Sequence, residues 1–216
     1  MKKKIAVLAV SFLATSSAMA NIVSNGSFEE RSSLALANGS WGQFSSLPGW
    51  TQENGDFFEI QVATNYQTGA TGHYDGFNAS YDGAHYLELN ANRLGTIAQT
   101  LTTVDDQLYR LSFGYSGRSG SGNNSLLNVY WGGNKLSSIV ALPDSGWQTV
   151  DFVVRASGIS TELRFESMGP SANPSYGSYL DGVTANAIPE PATMGLLLAG
   201  LSMIGFVTRR QKHKKN

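Results

Sequence analysis

Through the middle of the chain, hydrophobic residues recur at every second position. Phe58, Ile60 and Val62 alternate with Phe57, Glu59 and Gln61, and Leu87 and Leu89 alternate with Tyr86, Glu88 and Asn90. Tyr109, Leu111, Phe113 and Tyr115 alternate with Arg110, Ser112 and Gly114, and Leu127, Val129 and Trp131 with Leu126, Asn128 and Tyr130. Val150-Phe152-Val154 and Leu163-Phe165 repeat the pattern. Side chains of a strand point to opposite faces in turn, so this period sends one set to a core and the other to an outer face. With Asn21–Phe28, Ile97–Leu101 and Tyr179–Val183 added, the pattern predicts roughly eight or nine strands and no helix-period segment in the body. Gly, Asn, Asp and Ser separate the segments, which predicts an all-β fold, a two-sheet antiparallel β-sandwich of jelly-roll topology.

The two ends follow another pattern. Lys2-Lys3-Lys4, the apolar run Ile5 to Ala14 and Ala18-Met19-Ala20 have the order of a secretory signal peptide over residues 1–20, with Asn21 as the first mature residue. The body then runs over 21–187. Residues 188–216 hold Pro189-Glu190-Pro191, an uncharged stretch over 192–208, and the basic end Arg209-Arg210-Gln211-Lys212-His213-Lys214-Lys215. As a helix, that stretch would be about 26 Å long, near the lower limit for one transmembrane helix. The basic end would stay cytoplasmic, which places the body outside the membrane.

Charge sharpens this division. The 216 residues carry a formal charge of −1, but eight of the 15 Lys and Arg sit at the two ends, leaving seven between Asn21 and Thr208 against all 16 acidic residues. A stretch that acidic, −9 from Asn21 to Thr208, is a poor match for phosphates, so nucleic acid is set aside as a partner. Cysteine is absent, so stability rests on the core or a metal rather than on disulfides.

Catalytic chemistry finds little support. The body holds two histidines, His73 and His85, and neither a Gly-x-Ser-x-Gly elbow nor the ligands for a zinc site. Ser116–Ser125 is a Gly/Ser/Asn loop between strands, without the lysine of a phosphate cradle. Tyr74-Asp75-Gly76 and Tyr81-Asp82-Gly83 read as turns, with a ligand role as the alternative. Two of Glu59, Glu88, Glu162 and Glu166 could face each other as glycosidases require, but a count of acids is not a site.

The residues from Ile188 to the basic end resemble the PEP-CTERM sorting signal of Gram-negative, exopolysaccharide-producing bacteria. That resemblance implies recognition of Pro189, Glu190 and Pro191 by an exosortase, with release of a membrane-anchored precursor to the cell surface or extracellular matrix. In the body, Asn25-Gly26-Ser27-Phe28-Glu29, Gly49-Trp50, Tyr86-Leu87-Glu88-Leu89 and Ile97-Ala98-Gln99-Thr100-Leu101 resemble galactose-binding-like jelly rolls, which include carbohydrate-binding modules. Tyr109-Arg110-Leu111-Ser112-Phe113, Gly146-Trp147 and Tyr179-Leu180-Asp181-Gly182-Val183 continue the resemblance. It implies that the first and last strands lie side by side and that a structural Ca²⁺ sits between Glu29 and Asp181, with carbonyls near Ser27. Read without it, the two acids are surface charges or acceptors for edge amides.

For a sugar ligand the off-core face of the strands offers Glu59, Tyr86, Glu88, Arg110, Asn128 and Tyr130 together, with Arg118 in the adjoining loop. A wet antiparallel face has the same composition without any ligand. Trp50, Trp131 and Trp147 read as core, and Trp41, expected in a loop, as the freest aromatic. The leading expectation is an exported, non-catalytic module that binds carbohydrate of the exopolysaccharide matrix or envelope. A structural or adhesive biofilm-matrix protein with no small ligand is the alternative, and a polysaccharide hydrolase the third.

Overall fold

The computed structural model describes residues 20–31, 36–37, 39–63, 79–118, 125–143, 145–169 and 175–189, together with positions 195, 199, 200 and 202. These residues hold eleven strands. One sheet of six is built from β1 (Trp41–Phe44), β3 (Phe58–Val62), β4 (His85–Glu88), β11 (Ser178–Ala187), β6 (Leu108–Gly117) and β9 (Gln148–Arg155), in that order. The other has five, in the order β2 (Thr51–Asn54), β5 (Thr96–Thr102), β10 (Ser160–Gly169), β7 (Ser125–Trp131) and β8 (Asn134–Ala141). Every pairing is antiparallel. The expected all-β sandwich is therefore the fold.

The alternating apolar positions meet between the sheets. Ile60, Leu87, Leu111, Phe113 and Leu180 from the larger sheet pack on Ile97, Leu127, Val129, Leu163 and Phe165 from the smaller, all buried. Phe113 and Phe165 make an edge-on contact across the sandwich, ring centroids 5.1 Å apart, the geometry in which a ring's positive edge meets a negative face. Trp50 closes one end on Phe165 and Phe28, its indole N–H donating to the Asn25 carbonyl at 3.0 Å.

Three strands escape the alternation. β1 and β2 are four residues long, and β2 is wholly polar, too short and too wet to show a period. β8 returns from β7 through Gly132-Gly133, both with positive φ (57° and 80°), the turn that suits a right-twisted hairpin. Asn21–Phe28, in contrast, is not a strand. Asn21 bridges Asn186, and the chain then turns, with positive φ at Asn25 (49°) and Phe28 (55°). The Asn25 side chain pins that turn by accepting from the Glu30 N–H at 2.9 Å and donating to the carbonyls of Glu30 and Pro48.

The expected adjacency of the two ends of the body holds. Ile22 N–H donates to the Ala185 carbonyl and Val183 N–H to Gly26. β11 itself carries a bulge between Asp181 and Thr184, with Gly182 at φ 58°. The extra residue lets Asp181 stay on the outer face while Val183 and Ala185 enter the core.

The expected signal peptide up to residue 19, Glu190, Pro191, His73, Tyr74-Asp75-Gly76 and most of the 192–208 stretch lie outside the described residues. Within that stretch Gly195, Ala199, Gly200 and Ser202 are helical, and among the described residues no helix is long and apolar enough to cross a membrane.

Candidate functional site

The outer face of the six-stranded sheet carries two polar rows. Strand register sets Gln43 opposite Glu59 and Glu59 opposite Glu88. Tyr179 follows on β11 and Ser116 on β6. One step along, Trp41 faces Gln61 and Gln61 faces Tyr86. Period-two alternation from Phe58, Ile60 and Leu87 forces this placement, since those residues take the core.

Glu59 and Glu88 are buried, at 5% and 1% exposure. Gln61 ties them together, its Nε2 donating to Glu59 Oε1 and to Glu88 Oε2, both at 2.9 Å. Gln43 Nε2 donates to the other Glu59 oxygen at 3.0 Å. Glu88 also accepts from Arg118 Nη1, at 2.6 and 2.8 Å, and from the Gly177 N–H at 2.8 Å. Arg118 lies 4.6 Å above the ring of Tyr176. Burial pushes Glu88 up to about 8, with the neighbouring Glu59 adding and Arg118 and Gly177 opposing. Burial raises Glu59 as well. The pair therefore keeps a proton near neutrality, which removes the repulsion of two like charges placed directly opposite. Gln61 Oε1 is buried among these groups and accepts no hydrogen bond.

Beside this cluster, Tyr86 and Tyr179 pack against Trp147, with Tyr86 edge-on to both at 5.5 and 5.1 Å. Trp147, read as core, is buried in this second cluster on the outer face, and its indole N–H donates to the Ala79 carbonyl. Tyr86 is fully enclosed there. It shapes the site and offers no surface to a ligand.

Glu29 and Asp181 converge on one segment, residues 81–85. Asp181 Oδ2 accepts from the N–H groups of Tyr81 and Asp82 at 2.9 and 2.8 Å, and Oδ1 from Gly182 at 2.6 Å. Glu29 Oε1 accepts from the N–H groups of Ala84 and His85, and Oε2 meets the His85 ring. Burial pushes the Asp181 carboxyl up against those three N–H groups. Burial also opposes ionisation of Glu29, but the His85 ring and the two N–H groups outweigh it and hold Glu29 below its ordinary range. Calcium takes six to eight oxygens with no proton between. Here every carboxylate oxygen already faces a donor, and no group of three potential metal-binding side chains occurs among the described residues. In the described structure these oxygens hold the backbone amides of residues 81–85 and 182 as a clamp.

The remaining candidates lie elsewhere. Arg110 shares the face but sits six positions before Ser116 on β6, about 20 Å along the strand, where it faces Asp151 at 4.0 Å. Asn128 and Tyr130 are on the opposite side of the sandwich. There Glu166 accepts from Tyr130 at 2.5 Å and Asn128 at 3.1 Å, Arg164 lies 4.0 Å over the Tyr130 ring, and Ser138 donates to Asn128. These are cross-strand neighbours satisfying one another, as a wet sheet face requires. Of the seven ligand candidates, then, Glu59, Tyr86, Glu88 and Arg118 come together.

Gln43, Tyr176 and Gly177 complete the site without a sequence signal, because two lie in or beside short irregular segments and Gln43 in a four-residue strand. Trp41, expected in a loop, opens β1 and is 52% exposed on the face of the cluster.

Residues 21–186 match the family described as "Protein of unknown function (DUF642)", and residues 187–211 the PEP-CTERM protein-sorting motif. No curated protein matches the sequence. Among solved structures, the chain is similar to a family 35 carbohydrate-binding module from Clostridium thermocellum, with 14% identity, a TM-score of 0.39, and 68% of this chain covered against 97% of that one. The CBM22-1 xylan-binding domain of Paenibacillus barcinonensis Xyn10C gives 15%, 0.45, and 71% against 96%. TmCBM61, solved with β-1,4-galactotriose, gives 14%, 0.46, and 78% against 99%.

Proposed function

The chain belongs to the DUF642 family and carries a PEP-CTERM sorting motif, and from this we propose that it is an exported, non-catalytic module that binds carbohydrate of the exopolysaccharide matrix or envelope. One observation carries the reading. An exposed tryptophan, Trp41, and the half-buried Gln43 stand at one end of a fixed polar row whose other end is the partly exposed guanidinium of Arg118. From β1 to β4 the row spans two strand spacings, about 10 Å. A pyranose ring stacked on the Trp41 face would present its hydroxyls to Gln43 and to the edge of the Glu59 carboxylate. A few placed polar groups beside an aromatic face make a recognition surface. Gln61, held between two carboxylates, keeps those groups in place before any ligand arrives, so little ordering entropy is lost on binding.

The same burial speaks against hydrolysis. A glycosidase acid must reach the glycosidic oxygen, yet the Glu88 side chain is wholly buried and its oxygens already accept from Arg118, Gln61 and Gly177. Affinity electrophoresis of the purified protein through gels containing the producing organism's exopolysaccharide tests the reading. Retardation that falls about tenfold in Trp41→Ala is expected. Migration unchanged by any polysaccharide would overturn it and favour a matrix protein with no small ligand.

A further inference from the structure

The folded body leads into the sorting motif with no linker. β11 ends at Ala187, yet Ile188 is still part of the sheet, its N–H donating to the Leu108 carbonyl at 2.7 Å. The Gln107 side chain then takes the Ile188 carbonyl at 2.7 Å while also donating to the Leu108 carbonyl. Pro189, the first residue of the Pro-Glu-Pro tripeptide, comes next and lines a cavity of about 490 Å³. Its walls are apolar at Val104, Leu108 and Ile188, and its lip is charged at Asp105, Asp106 and Arg155. The lip is fixed, since Arg155 Nη1 donates to both the carbonyl and the carboxylate of Asp106.

Chain geometry turns this into a constraint on the processing enzyme. Pro189, which opens the Pro-Glu-Pro tripeptide, is itself a wall residue of the cavity, and a chain of three residues reaches at most about 11 Å. An enzyme that encloses the tripeptide meets the walls of the cavity. We infer that the peptidase which processes the sorting motif docks on the folded body as well as on the tail, seating an apolar side chain against Val104 in the cavity beside Pro189. The tail begins in the wall of this cavity, which is what commits the surface to that occupant. Val104 is 64% exposed and Asp105 is exposed, so the rim is open to a partner.

The test follows shortening of the full precursor by pulse-chase in a Gram-negative host carrying the exosortase. Four chains are compared: wild type, Val104→Asp/Asp105→Lys, wild type with a twelve-residue Gly/Ser spacer between Ile188 and Pro189, and the spacer combined with the rim substitutions. The spacer adds an average reach of about 20 Å. Both rim side chains are exposed, so the exported body of each chain should keep its melting temperature. Docking predicts that the rim substitutions slow shortening about tenfold, that the spacer alone slows it to a similar degree, and that combining them adds nothing further. Shortening of the rim variant or of the spaced wild type at the normal rate would overturn the inference. So would an additive effect in the combined chain, or a wild-type tail that is never shortened.

Discussion

Glu59 and Glu88 face each other directly across β3 and β4, and a single amide, that of Gln61, donates to both. Each carboxylate alone would be costly to bury. Together with Arg118 they form a neutral group when one proton is retained, and the burial that raises both acids keeps that proton in place. The arrangement gives the outer face a rigid polar floor and ties the ends of three separated segments, at Gln43, Arg118 and Gly177, to one point.

This proton has a consequence for stability. Glu88 moves from an ordinary value of 4.5 to about 8 in the folded chain. The folded state therefore binds the proton more tightly than the unfolded state between those limits, and stability falls as pH rises through that window. Glu59, also raised, acts with the same sign. Thermal unfolding from pH 5 to 9 should show the wild-type melting temperature dropping across this range, with Glu88→Gln losing its share of the drop and Asp181, also raised, keeping another. Parallel profiles for the two proteins would refute a retained proton at this site.

How much of this was legible in the sequence depends on what parity can tell. Alternation around Ile60 and Leu87 identifies Glu59, Gln61 and Glu88 as outward residues, and their side-by-side register follows from β3 and β4 being neighbours. Alternation at Leu127 and Val129 makes Asn128 and Tyr130 outward by the same logic. It cannot say outward on which sheet, because that depends on strand order, a non-local property. Hence the candidates that looked like one face divide between two. The Asn25-Gly26 turn was hidden for a different reason: its flanking residues look strand-like, and only the close approach of Val183 and the capping by the Asn25 amide make the chain turn there.

Calcium provides a direct check on the Glu29–Asp181 clamp. With their oxygens committed to the N–H groups of residues 81–85 and 182, melting temperatures in EDTA and in millimolar Ca²⁺ should coincide. A ligand that binds only the folded state must raise the midpoint. A Ca²⁺ shift that disappears in Asp181→Ala would restore the metal and displace the clamp.

The clamp also predicts an acid limb. Glu29 is held below its ordinary value, so its contribution is present above about pH 4.5 and is lost as pH falls through the lower folded value. Glu29→Gln should flatten the profile below pH 4.5 while leaving the pH 5 to 9 limb, which the raised acids set, in place. Loss of the upper limb in the same variant would show that the two acids are not separate.

At Gly26 the two ends of the body approach too closely for any side chain. A methyl there would overlap the Val183 carbonyl oxygen, which is backbone and cannot rotate away. Gly26→Ala should destabilise by about 2 kcal/mol or more, a value at the upper end for single substitutions. Urea unfolding read by tryptophan fluorescence would measure it, and a change under about 0.5 kcal/mol would mean that the N-terminal segment is free to lift from β11.

The four tryptophans separate binding from folding. Trp147 is buried between Tyr86 and Tyr179 with its N–H satisfied, so Trp147→Ala should cost about 3–5 kcal/mol through the cavity it leaves. Trp41 projects from an edge strand with half its surface in water, and Trp41→Ala should change stability by about 0.5 kcal/mol or less. If Trp41 is the stacking face, that nearly neutral substitution nonetheless removes most of the affinity for polysaccharide. Measured together, unfolding and gel retardation of Trp41→Ala give opposite answers for a binding residue and matching small ones for an idle surface residue. A Trp41→Phe variant, which keeps an aromatic face of smaller area, should recover part of the retardation. Recovery by Trp41→Leu to the same extent would assign the effect to apolar area alone and remove the argument for a stacked ring.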